Sequence, residues 1–254
     1  MERLLLGKNK ILSLGLLLND LKSIILKSPD FVSFELTSKH MQYICEMTES
    51  NIVDRIYDKL FSNIKIFVSE EDEEFTENCL KLLEVEQWGF CPDLLTLDFS
   101  ESIQELMKIN GKTTPWEKQD TITGFVGVFE KECKAHLVRN NPLKAETWEL
   151  SADEFIPLLM YFLCIHKPQD LIANLTFIKE LSISPDSSGS RTYQFTNIYA
   201  AFHSIKHLVE EHREREKVPT EEEEEEELPP PPTIVLTATS TYGAFGPPSK
   251  RNLD

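Results

Sequence analysis

The sequence predicts an all-α fold. Explicit capping signals precede apolar stretches, apolar residues recur with a period near 3.6, and period-two alternation is scarce. At 254 residues, 41% hydrophobic and 27% charged, the chain can bury a sizeable core and has room for little beyond one large domain.

The elements follow in order. Within residues 1–42 the clearly amphipathic part is Ile11 to Leu26, whose leucines suit an accessory helix covering a core. Ile11 to Leu18 has the outline of a secretory signal, but Glu2 spoils the basic region and no small-x-small cleavage site follows. Ile64-Lys-Ile-Phe-Val68 alternates briefly, with nothing to pair with it. Ser69-Glu-Glu-Asp72 opens a helix that places Phe75, Cys79, Leu80 and Leu83 on one face and acids opposite.

Thr114-Pro-Trp-Glu117 combines a capping threonine, a first-turn proline and a reciprocal glutamate, opening a helix to about Leu137. Ser151-Ala-Asp-Glu154 has the same form, and Phe155 to Ile165 behind it is apolar nearly all round, which predicts a central, buried helix. Pro168 starts the next, through Leu181. After a Ser/Pro/Gly loop from Ser182 to Ser190, Thr196 is expected to cap a last helix bearing Ile198, Ala201, Phe202, Ile205, Leu208 and Val209. From Lys217 the chain turns to seven glutamates (Glu221 to Glu227), Leu228, four prolines (Pro229 to Pro232) and Thr, Ser, Gly and Pro to Asp254. That composition cannot bury enough apolar surface to offset its ordering entropy, so disorder is expected.

The formal charge is −17, and residues 1–217 alone hold 24 basic against 35 acidic side chains. Nucleic acid and anionic membranes, which need a basic footprint, are therefore excluded as main partners. Five scattered cysteines without a Cys-x-x-Cys pair describe a reduced protein with neither a disulfide framework nor a zinc finger. No uncharged run approaches the roughly 20 residues of a membrane span. In a chain so read, the Asn174-Leu-Thr sequon is incidental.

Conventional catalysis finds no support. With nine glycines there is no phosphate-cradling loop, no Gly-x-Ser-x-Gly and no Gly-x-Gly-x-x-Gly. His203, His207 and Glu210 share a helical spacing, but His207-Leu-Val-Glu-Glu-His212 misses the inverted zincin pattern by one residue, and no second ligand cluster exists elsewhere. These side chains read as solvated helix surface, and no metal or cofactor is expected.

The informative stretch is Ser151 to Asn197. Ser-Ala-Asp-Glu-Phe-Ile-Pro-Leu-Leu-Met-Tyr, then Lys-Pro-Gln-Asp-Leu-Ile-Ala-Asn-Leu-Thr-Phe-Ile, then Arg-Thr-Tyr-Gln-Phe-Thr-Asn-Ile-Tyr-Ala-Ala resembles, block by block and in order, the Vps-nine domain, named after vacuolar protein sorting protein nine. Ile56-Tyr-Asp-Lys-Leu-Phe61 looks like that family's opening helix, and Glu70 to Glu74 sits where members begin the next, so the resemblance runs from Tyr43 to Leu208. It implies a layered helical domain over 43–216, with a short helical leader (1–42) and a disordered acidic, proline-rich tail (217–254).

The resemblance implies a guanine-nucleotide exchange factor for Rab-five-subgroup small GTPases, acting in endosomal trafficking from the cytoplasm and without covalent chemistry. Matched residue by residue, the family's exchange-driving aspartate falls on Asp153 and its proline on Pro157, while Tyr193 and Thr196 fall on the GTPase-binding surface. The family's second acid is Glu154 here. Asp153 lies in a helix's first turn, where the dipole favours the ionised carboxylate, and Pro157 lacks the N–H that would satisfy the Asp153 carbonyl. The same residues also fit a plain helix N-terminus. The rivals are a GTPase-binding module without exchange activity and a helical scaffold or adaptor with no GTPase contact. In the tail, Leu228, Pro229, Pro230, Pro231 and Pro232 beside glutamates form a preformed polyproline II segment suited to a polyproline-binding domain.

Overall fold

The computed structural model describes residues 2–29, 36–84, 88, 92–140, 150–183 and 189–217. The expected disorder after Lys217 and the Leu228–Pro232 segment lie outside them. Among the described residues all regular structure is helical: α1 (Glu2–Leu26), α2 (Ser38–Val53), α3 (Tyr57–Phe67), α4 (Ser69–Leu82), α5 (Ser100–Met107), α6 (Pro115–Asn140), α7 (Ala152–His166), α8 (Leu171–Leu181) and α9 (Ser190–Lys217), with short 3-10 turns at Asp54–Ile56, Pro92–Thr96 and Lys108–Gly111.

Two N-terminal caps form as their sequences require. Thr114 Oγ1 accepts the Glu117 N–H at the head of α6 and donates to Glu117 Oε2. Ser151 Oγ accepts the Glu154 N–H at the head of α7, while Glu154 Oε2 accepts from the Ser151 backbone and hydroxyl. Helix α7 is central as expected: Phe155, Leu158, Leu159, Met160, Phe162, Leu163 and Cys164 are buried. Helix α8 buries most of its length against α3 and α6, and α5 packs along α6. Phe99, Phe125, Phe129, Phe155 and Phe162 interlock in stacked, tilted and edge contacts between α6 and α7.

Phe99 is left-handed, with φ of 53°, and precedes α5 without capping it. The free N–H groups of that helix go elsewhere: Asp98 accepts from Ser100, and the buried Glu132 of α6 accepts from Glu101 and Ser102. Helix α1 covers the α3 and α8 face through Ile11 and Leu18, and it comes so close to α8 that a Cβ on Gly15 would collide with the Glu180 carbonyl.

Several expectations are corrected. Ser69 does not cap α4, because its hydroxyl donates back to the Ile66 carbonyl. The buried face of α4 is Phe75, Asn78, Cys79 and Leu82, leaving Leu80 and Leu83 exposed. Pro168 does not open α8; Lys167 and Asp170 are both left-handed, which ends α7 and delays α8 to Leu171. Ile64–Val68 is no strand, since Ile64 to Phe67 form the last turn of α3. Thr196 caps nothing: α9 begins at Ser190, so Thr196 lies in its interior, and its hydroxyl donates to the Thr192 carbonyl at 2.7 Å.

Candidate functional site

Asp153 occupies the second position of α7 and is exposed. An acid there would ordinarily be credited with capping, but Ser151 and Glu154 already share that work. Among the described residues no hydrogen bond or ion pair engages the Asp153 carboxylate. It stands in solvent at the positive end of a helix whose next turns are locked into the core.

Pro157 lies inside the same helix, half-buried, and α7 runs through it without a break. Because a proline at that position has no N–H, the backbone carbonyl of Asp153 lacks the i+4 donor of a regular helix. Asp153 and Pro157 are thus one turn apart on a single rigid element.

Tyr193 and Thr196 are both exposed on the first turns of α9, three residues apart and so on one face. The Tyr193 side chain is 59% exposed, a large aromatic surface left in water. Its backbone is fixed, with the N–H donating to the Gly189 carbonyl at 3.0 Å. Among the described residues no hydrogen bond, ion pair or ring contact joins the α7 pair to the α9 pair. Helix α4 touches both elements, its Cys79 at the Leu163 carbonyl of α7 and its Phe75 against Phe202 of α9.

His203 and His207 lie on the exposed side of α9. His203 contacts the rings of Tyr199 and Phe202, and His207 Nδ1 is 3.5 Å from Glu211 Oε1. Among the described residues no group of three or more His, Cys, Asp or Glu side chains could hold a metal ion. A cleft of about 490 Å³ beside α5 and α6 is lined by Lys131, His136 and Arg139 together with Asp98, Glu101 and Glu132, a mixture that favours neither sign of ligand.

In the sequence Arg191 stands out only as part of a motif block. A cation in the first turn of a helix opposes the dipole, a conflict that calls for carboxylates to meet it.

Asp153, Tyr193 and Thr196 thus present an acid, an aromatic ring and a hydroxyl outward on two helices. Residues 99–210 match the vacuolar sorting protein 9 (VPS9) domain, and the chain carries a VPS9 domain over that span. VPS9 domains bind Rab GTPases. Asp153, Pro157, Tyr193 and Thr196 all fall inside the match, whereas α1 to α4 precede it. Comparison with curated proteins returns no match. No helix among the described residues is long and apolar enough to cross a membrane.

Proposed function

We propose that the chain is a guanine-nucleotide exchange factor for Rab-five-subgroup small GTPases, promoting GDP release in endosomal trafficking. The observation that supports this most is the Asp153 carboxylate, exposed and bonded to none of the described residues inside the matched VPS9 span, while its neighbours do the capping. Bound GDP is held by a magnesium ion and the P-loop lysine of the GTPase. A carboxylate presented to that lysine competes with the nucleotide phosphates through a charge-assisted hydrogen bond, and so lowers the barrier to GDP release. Tyr193 and Thr196 would seat the GTPase, the ring contributing apolar area and the hydroxyl a polar contact.

The test is release of a fluorescent GDP from a panel of Rabs with the chain at substoichiometric concentration. Turnover on the Rab-five subgroup, with little on unrelated Rabs, supports the proposal. Equal stimulation of all Rabs defeats the specificity, and a stable complex with nucleotide-free Rab but no turnover makes the chain a binding module instead.

A further inference from the structure

The cation at the head of α9 is held by two other helices. The Arg191 side chain, only 16% exposed, donates from Nη1 to Glu46 Oε1 of α2 at 2.6 Å and from Nε to Asp120 Oδ1 of α6 at 2.5 Å, with Nη2 3.2 Å from Asp120 Oδ2. Its guanidinium lies 5.9 Å from the centre of the Trp116 ring, and Trp116 Nε1 donates in turn to Ser50 Oγ of α2.

The other side of the α8–α9 connection is tied in the same way. Ile183, two residues beyond α8, donates its N–H to Glu49 Oε1 of α2 at 2.7 Å and accepts from Lys22 Nζ of α1 at 2.6 Å. Ile183 and Glu49 are both buried. The two helices at the start of the chain, outside the matched domain, therefore hold the described residues on both sides of the segment that leads into α9.

We propose that Arg191 is a positioning residue through which α2 and α6 set the first turns of α9, and so where Tyr193 is offered to the GTPase. The inference rests on the exchange reading above. A guanidinium fork bound to two carboxylates fixes direction as well as distance, which a lysine cannot reproduce. Tyr193 follows two residues later on the same helix, so a small shift of that turn carries the ring with it, and displacements near 1 Å suffice to cost a large part of a site's efficiency.

The test measures GDP release against GTPase concentration, with thermal melting on each preparation. For Arg191→Met the expected result is a fall in kcat/KM of about tenfold, carried mainly by KM, with Arg191→Lys recovering part of it. In a Tyr193→Ala background the same Arg191→Met change should cost less than about twofold, because the ring it positions is gone. Glu46→Gln, a milder change at the same fork, should shift KM in the same direction by a smaller factor. Unchanged kinetics in Arg191→Met and Glu46→Gln overturn the proposal, as does an equal loss in both Tyr193 backgrounds, which would mark Arg191 as purely structural. A parent chain with no exchange activity defeats the functional reading, and this inference with it.

Discussion

Lys118 Nζ lies 2.7 Å from Asn174 Oδ1 in the interior, both residues fully buried, and among the described residues no carboxylate makes a hydrogen bond to the amine. The amine also donates to the Ile109 carbonyl and to Tyr57 Oη, and sits over the rings of Tyr57, Phe61 and Phe177 at 5.1, 4.8 and 5.4 Å from their centres. Asn174 completes the network by donating to Asn110 Oδ1 and the Asp170 carbonyl. One lysine thus links α6 with α3, α8 and the Lys108–Gly111 turn. The sequon asparagine, with its amide fully engaged inside the core, is closed to glycosylation in the folded chain.

Lys118→Met keeps most of the volume but leaves Asn174 Oδ1 without its donor, whereas the Ile109 carbonyl retains the Lys112 N–H. Near pH 10, where the unfolded lysine also begins to give up its proton, the variant should lose about 1–3 kcal/mol, the cost of a buried unsatisfied acceptor. Urea unfolding monitored by helicity checks this. A variant as stable as the parent near pH 10 would show that the amine contributes nothing net.

The same amine sets a pH dependence. Burial pushes Lys118 from the ordinary 10.5 down to about 7, against the opposing pull of Glu117 and Asp170. Between those values the unfolded chain binds the extra proton, so stability rises with pH, by at most about 1.4 kcal/mol per pH unit. Below about pH 7 both states are protonated and the slope vanishes. Tyr57, pushed up to about 12 mainly by burial, contributes the opposite slope once the unfolded phenol ionises near 10, so the clean window is pH 7 to 9. The parent-minus-Lys118→Met difference in unfolding free energy should climb across that window, and a flat difference would place the amine outside the titrating groups.

The parts legible in the sequence were those where local chemistry decides. The Ser151 and Thr114 caps, the all-apolar run after Asp153 and the 3.6 period of α9 each state their helix within a few residues. What failed depends on distant partners. Nothing local shows that Asn78, rather than Leu80, faces the core, because that choice rests on which side α7 and α9 cover. Thr196 looked like a cap because threonine accepts N–H groups well at helix starts, yet the same hydroxyl also bonds back to a carbonyl inside a helix. No local pattern marks Glu132 and Lys118 as internal, and only tertiary packing buries them. For the candidate site, motif order supplied the positions of Asp153 and Tyr193, while the Arg191 fork joins residues 46, 120 and 191, which no local pattern connects.

The tail segment Leu228 to Pro232 is proposed to dock on an aromatic-lined groove, since a preformed polyproline II helix loses little entropy on binding and the adjoining glutamates suit a basic rim. A peptide spanning 221–232 should retain a polyproline-binding domain in a pull-down, and Pro230→Ala with Pro231→Ala should release it. Equal capture by both peptides would reduce the segment to a linker.

Asp153 and Glu154 are adjacent acids in one helical turn with opposite assignments, and exchanging each for its amide separates them. Asp153→Asn keeps the size of an exposed side chain that bonds to no described residue, so the melting temperature should stay close to the parent's, with a stability change under about 0.5 kcal/mol. It removes the negative charge, and losing a hydrogen bond to a charged group costs roughly 1.5–3 kcal/mol. At about 1.4 kcal/mol per decade, GDP release should slow by on the order of 10- to 100-fold if that bond forms only as nucleotide leaves. Glu154→Gln should do the reverse. The amide still accepts from Ser151 but weakens the charged half of the capping box, lowering stability by a few tenths to about 1 kcal/mol, with exchange per folded molecule within twofold of the parent. Release kinetics and melting curves on the same two preparations decide the matter. If Asp153→Asn melts normally and exchanges like the parent, the carboxylate plays no part in displacing nucleotide, and the VPS9 surface must act through other groups.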